Sequence, residues 1–136
     1  MKKNSSLILP LVLAASLGFL GKVFAHHSFV AQFDPAQLVT MAGSVTKLEW
    51  TNPHAFFYLD IEDEDGNVTN WAFELGSPNT LIRYQWGRDT MQVGDQITVE
   101  GYLARDGSNL ANAKTVTFAD GRVVNAGSSS DLSSTR

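Results

Sequence analysis

Imidazole occurs at three places in this chain, His26, His27 and His54, and the first two directly follow a stretch that reads as a protease cleavage site. In "VFAHHSF" (23–29), Val23 and Ala25 put small side chains at the −3 and −1 positions of a signal-peptidase site. Cleavage after Ala25 makes His26 the first residue of the mature protein and frees its α-amine. Such an amine has a reference pKa of about 7.7–8.0, so near neutrality a metal displaces its proton at small cost. Amine nitrogen and Nδ1 of one histidine form a compact chelate, and a further imidazole completes a T-shaped set of three nitrogens, the histidine brace of copper proteins. Nitrogen-only tetragonal sites favour Cu(II), which also heads the Irving–Williams order. The distant candidate for the third nitrogen is His54, in "WTNPH" (50–54), and the local one is His27. Asp34, Trp50 and Tyr58 are the candidate neighbours of the ligands, Asp34 as an oxygen ligand or a hydrogen-bond partner. The competing reading holds no metal: His26 and His27 are polar residues tolerated at a leader junction, and His54 caps a turn or packs beside Trp50.

Either reading depends on the leader. Residues 1–6, "MKKNSS", carry two lysines and no acid, and "LILPLVLAASLGFL" (7–20) is apolar throughout. With the cleavage site, this is the three-part pattern of a secretory signal peptide over residues 1–25. The apolar run is short for a membrane span, which takes about 20 residues, and no second run follows. The expectation is therefore export to a periplasm, with no membrane span in the mature form. Absence of cysteine excludes disulfides, thiolate metal sites and covalent haem attachment. Loss of Lys2, Lys3 and Lys22 with the leader leaves seven bases against fourteen acids, a net charge of −7. A domain so acidic is repelled by polyphosphate, so nucleic acid is not an expected partner.

The elements that position these residues follow a period of two. In "VTMAGSVTKLEW" (39–50), Val39, Met41 and Val45 share one phase, while Leu48 and Trp50 fall on the other. A slip of one residue near Gly43 predicts a bulge that bends the first strand. "HAFFYLDI" and "VTNWAFEL" alternate on either side of "EDEDGN" (62–67), which predicts a hairpin. A short helix is expected next, with Ser77 as N-cap, Pro78 at its first turn, an apolar stripe of Leu81, Ile82 and Trp86, and a stop at Gly87. Strands follow in "QITVEGYL" and "ANAKTVTF", and "DGRVV" is a candidate closing segment. Three strands, a helix and two strands predict a mainly β fold: a small five-stranded oligonucleotide/oligosaccharide-binding (OB) type barrel with the helix between strands 3 and 4. An open β-sandwich is the alternative. The expected organisation is an N-terminal arm over 26–38, the barrel over 39–124, and a disordered Ser-rich tail over 125–136.

The segments "HHSFVAQFDP", "GSVTKLEWTNPHAFFYLDI", "NWAFELGSPN" and "VGDQITVEGYLARDGSNLANAKTV" resemble a family of small exported bacterial proteins of unknown function. The resemblance covers nearly all of the mature chain and implies that HHSF and WTNPH act as a pair; it implies no activity. All three histidines lie in those two motifs. Phe29 and Phe33, in "SFVAQFD", are placed to pin the arm to the barrel.

Other patterns carry less chemistry. "EDEDGN" concentrates acids without the spaced ligands and following Glu of a calcium loop. Trp50, Phe56, Tyr58 and Trp71 are a candidate stacking platform, although a barrel this small needs aromatic residues for its core. No nucleophile-elbow, P-loop, dinucleotide or zinc-protease motif is present. The expected function is an exported Cu(II)-binding protein using His26, His54 and His27, a carrier or buffer rather than an enzyme, with oxygen activation at an open copper position as a sub-case. The alternative is a metal-free OB-type accessory domain that docks on an envelope protein partner through its HHSF arm. Sequence leaves the oligomeric state open.

Overall fold

The computed structural model describes residues 29–130. A short helical turn, α1 (Phe29–Gln32), leads into β1 (Phe33–Glu49), β2 (Phe56–Glu62) and β3 (Val68–Glu74). Then come the helix α2 (Pro78–Arg83), β4 (Gln96–Ala104), β5 (Leu110–Phe118) and a three-residue β6 (Val123–Asn125). Antiparallel pairing joins β3 to β2, β2 to β1, β1 to β4 and β4 to β5. A parallel pairing of β3 with β5 closes these five strands into a ring. That pairing requires a crossover, which α2 and β4 supply. The short strand β6 adds to β5 outside the ring, so the architecture is a closed five-stranded sheet with an appended strand rather than a clean barrel. The expected OB-type order, with its helix between strands 3 and 4, is the one observed.

Local sequence explains most of these elements. The bulge predicted near Gly43 lies between Val45 and Lys47, where the pairing of β1 with β2 shifts by one residue. It lets Val45 and Leu48, three apart and therefore out of phase in a regular strand, both pack on the core. Asp63 builds the β2–β3 hairpin by accepting from the backbone N–H groups of Asp65 (3.0 Å) and Asn67 (2.8 Å). Hydrogen bonds from the Asn67 side chain first, and then from its backbone N–H, keep the Asp63 carboxyl below the usual carboxylate range, so the acidic tip is organised by its own turn. Ser77 caps α2 by accepting from Thr80 N at 3.2 Å. The helix ends at Arg83 rather than running to Gly87, because Gln85 takes a left-handed backbone with φ 67°. In consequence only Leu81 and Trp86 of the expected stripe turn inward, and Ile82 is 59% exposed.

Two boundaries differ from the sequence expectation. The first strand begins at Phe33, inside the segment read as an arm, because Phe33 pairs with Ala104 and is buried. Order also continues past 124: Ala126 and Ser128 are buried, and Gly76 N–H donates to Ala126 O at 2.9 Å. The Ser-rich stretch thus contributes its first residues to the fold, and 131–136 lie outside the described residues.

The main core collects Val45, Phe57, Leu59, Phe73, Leu75, Leu81, Trp86 and Met91 with the inward residues of β4 and β5. Phe57 and Phe73, cross-strand partners, stack with centroids 5.0 Å apart. A smaller cluster forms where α1 folds back: Phe29, Phe33 and Ala104 pack with Tyr102 and Leu110. Gly43 has no room for a side chain, since a Cβ there would run into the Asp60 carbonyl across the β1–β2 pairing. Gly43→Ala is expected to destabilise the protein by about 2 kcal/mol in urea denaturation, the cost of overpacking a site that cannot give way.

Candidate metal centre

His54 stands two residues before β2, after a cis Asn52–Pro53 peptide bond. Its backbone is clamped on both sides. Thr51 Oγ1 donates to His54 O at 3.0 Å, while Ala55 N–H donates to Gly76 O (3.2 Å) and Ala55 O accepts from Leu75 N–H (2.8 Å). The imidazole is half-exposed, with side-chain exposure of 39%. Two oxygens face its Nδ1: the Leu75 carbonyl at 3.1 Å and Glu74 Oε1 at 3.6 Å. A carbonyl can only accept, so Nδ1 is the donor in this contact, and in the neutral ring that leaves the lone pair on Nε2, the form in which imidazole binds metals.

Glu74 is the residue that the sequence reading missed. It is buried, with 6% exposure, and accepts from Asn112 Nδ2 at 3.0 Å. The amide oxygen of Asn112 in turn accepts from the Ser128 hydroxyl, which is 2.7 Å from that of Ser130. Burial pushes the Glu74 carboxyl above its ordinary range, and His54 and the Asn112 hydrogen bond pull against that shift. The available signal was an acid between Phe73 and Leu75, and an asparagine between Ala111 and Ala113, polar residues set in apolar strand ends.

Register explains why these groups meet. Glu74 is the cross-strand partner of Asn112, and Asn112 is the partner of Tyr102, so one row crosses β3, β5 and β4. Phe73 and Ala111 turn into the main core, so their neighbours Glu74 and Asn112 turn to the opposite face. Tyr102 occupies that face too and meets Phe29 in a T-shaped contact, with centroids 5.3 Å apart. The arm is fastened further by Arg105, whose N–H donates to Gln32 O (2.9 Å) and whose Nε donates to Val30 O (2.8 Å). Phe29 and Phe33 therefore do pin the segment that follows the histidine pair.

His26 and His27 lie outside the described residues. Among residues 29–130, no three His, Cys, Asp or Glu side chains gather as a metal-binding group. The other expected neighbours are engaged elsewhere. Asp34 accepts from Ala36 N–H (3.1 Å) and Gln37 Nε2 (3.2 Å) and faces Arg105 at 3.5 Å, contacts that hold its carboxyl low. Tyr58 donates to Glu49 Oε2 at 2.8 Å, with Lys47 5.0 Å above its ring. Trp50 lines a cleft of about 200 Å³ with Leu48, Trp86, Gly87, Arg88 and Met91. The four aromatic residues of the candidate platform are divided as well: Trp71 packs toward Phe73 and the core, whereas Phe56 and Tyr58 alternate away from it.

No curated protein matches the chain. A family model matches residues 15–113, well over half of the sequence, and the chain thus belongs to the family of unknown function DUF6152.

Proposed function

We propose that this is an exported Cu(II)-binding protein whose site is completed by signal-peptide cleavage after Ala25, the α-amine and imidazole of His26 joining Nε2 of His54. His27 is the alternative third nitrogen. The observation that carries the reading is the orientation of His54: Nδ1 is turned inward onto Leu75 O and Glu74, which directs the lone-pair nitrogen away from the fold. Metal-binding histidines commonly donate their second nitrogen to a carbonyl or carboxylate in this way. The acidic mature chain favours a cationic ligand.

The test is a Cu(II) titration of the natively processed protein, with mass spectrometry confirming that it begins at His26. One equivalent is expected to bind tightly with a tetragonal spin-resonance signal. One extra residue before His26 is expected to weaken binding at least about 100-fold, since it removes the amine from the chelate while leaving both imidazoles. His54→Ala is expected to weaken it as well; if only the extension does so, His27 supplies the third nitrogen. Equal, weak binding by all forms would leave HHSF as a docking arm for an envelope partner.

A further inference from the structure

We infer that the cleft lined by Trp50 and Arg88 is a binding site for a small aromatic carboxylate, a single ring bearing one anionic group. The inference is independent of the copper reading and uses none of its ligands. It stands on what lines the cleft, how that lining is held and how much room it leaves.

Most of the lining is hydrocarbon. Met91 and Trp86 are 2% and 3% exposed, and Leu48 and Trp50 pack against the same core from half-buried positions. Trp86 spends its single donor on Asn125 O at 2.7 Å, so it offers the cleft only its ring. The polar side-chain groups that remain are both donors, the Trp50 indole N–H and the exposed Arg88 guanidinium. Among the described residues neither has a hydrogen-bond or ion-pair partner. Arg122, by contrast, is taken up by Asp120, Thr90 O and the Phe118 ring. No acidic side chain lines the cleft, and Asp89 is not part of the lining. Apolar walls with donors at the rim select a flat apolar body that carries an acceptor, and a guanidinium favours that acceptor as a carboxylate. The acidic mature chain opposes an anion only at long range, since salt screens charges beyond about 8 Å.

The loop that forms one wall is built in place. Trp86 N–H donates to Leu81 O at 3.0 Å, which ties it to α2. Gly87 N–H donates to Thr90 Oγ1 at 2.8 Å, and Thr90 N–H returns to Gly87 O at 3.2 Å. Arg122 holds Thr90 O from the turn before β6, at 3.4 Å. A wall fixed in this way loses little freedom when a ligand enters. Size then decides the class. The cleft measures about 200 Å³. A cavity of about 150 Å³ accepts benzene, whereas drug-sized ligands take about 300–1,000 Å³. One ring fits; the oligosaccharides and oligonucleotides bound by other OB barrels do not.

Benzoate is the probe, and benzyl alcohol is its neutral counterpart. Two of the three tryptophans line the cleft, so the indole N–H signals in nitrogen-15 spectra locate an occupant. Benzoate is expected to bind saturably with a Kd of about 0.1–1 mM, within reach of so small a ligand. It should move the Trp50 and Trp86 signals and leave that of Trp71 in place. Arg88→Gln is expected to weaken benzoate about 5–10-fold and to leave benzyl alcohol unchanged. Trp50→Ala is expected to weaken both by about 10-fold. Lys114→Gln, which removes a cation on β5 that does not line the cleft, should change neither. Absence of a saturable shift, or shifts spread equally over all three indoles, overturns the site. Benzoate binding undiminished in Arg88→Gln overturns its assignment to an anion.

Discussion

Phe73→Ala is expected to lower the free energy of unfolding by about 3–5 kcal/mol, the range for emptying a large aromatic from a packed core. Phe73 has no exposed surface and stacks on Phe57 at 5.0 Å with the rings nearly parallel. Its strand is bonded on one side to β2 and on the other to β5, through Ala111 opposite Phe73 itself. Neither neighbour can move in to fill the space without giving up ring closure, so the cavity persists and the cost falls at the upper end of the range. Small domains have only about 5–15 kcal/mol in hand. Urea denaturation with an unchanged slope is the check; a loss under about 1 kcal/mol would mean that the strands can close over the gap.

The second large effect is expected at Asn112. Asn112→Ala leaves the buried Glu74 without its donor, whereas the Ser128 hydroxyl keeps Ser130 as a partner. A stranded buried group costs about 1–3 kcal/mol, and more where it is charged, so a loss of about 3 kcal/mol is expected. Glu74→Gln should behave in the opposite sense, and pH separates the two. Burial raises the folded-state pKa of Glu74 above the ordinary 4.5. The native state then holds this proton longer than the unfolded chain does. Stability from this group is complete below 4.5 and is lost as pH rises through the folded value. Asp34, Asp63 and Asp106 act the other way: hydrogen bonds hold them below 3.8, and their contribution is lost as pH falls. Glu74→Gln removes only the first slope, so its stability relative to wild type is expected to grow as pH climbs above 4.5. Urea denaturation of both proteins between pH 4 and 8, in steps of about one unit, reads this difference directly.

Period and punctuation carried the sheet. The slip between Val45 and Leu48 marked the bulge, "EDEDGN" the hairpin, and Ser77–Pro78 the start of α2, because each is a local choice with a local physical cause. Where local and tertiary preferences diverge, the sequence misled. Ile82 suits a helical stripe, but the chain turns left-handed at Gln85 before another turn can form. The residues after 124 have the composition of a free tail, yet Ala126 and Ser128 are buried where Gly76 and Gly127 come close together. For the site, His54 was legible as a residue type but its surroundings were not. Trp50 and Tyr58 are close to it in sequence or strand position, whereas Glu74, Asn112 and Ser128 are brought to it by strand register. A parallel pairing between residues 72–74 and 110–112 is set by closure of the whole ring, and no window of sequence contains it.

That closure is short. The pairing of β1 with β4 runs from Leu38 to Ser44 without interruption, whereas β3 meets β5 only through Ala72, Phe73 and Glu74. Structures open first where the fewest bonds hold, through excursions far smaller than global unfolding. In this molecule the seam that opens most readily carries Glu74 on one lip and Asn112 on the other. Slow amide exchange should persist along β1 and β4 while the residues at the seam exchange sooner, and each such breath would part Glu74 from Asn112. Ring closure and the surroundings of this buried carboxyl are therefore one equilibrium: whatever holds Glu74 against Asn112 also fastens the ring shut.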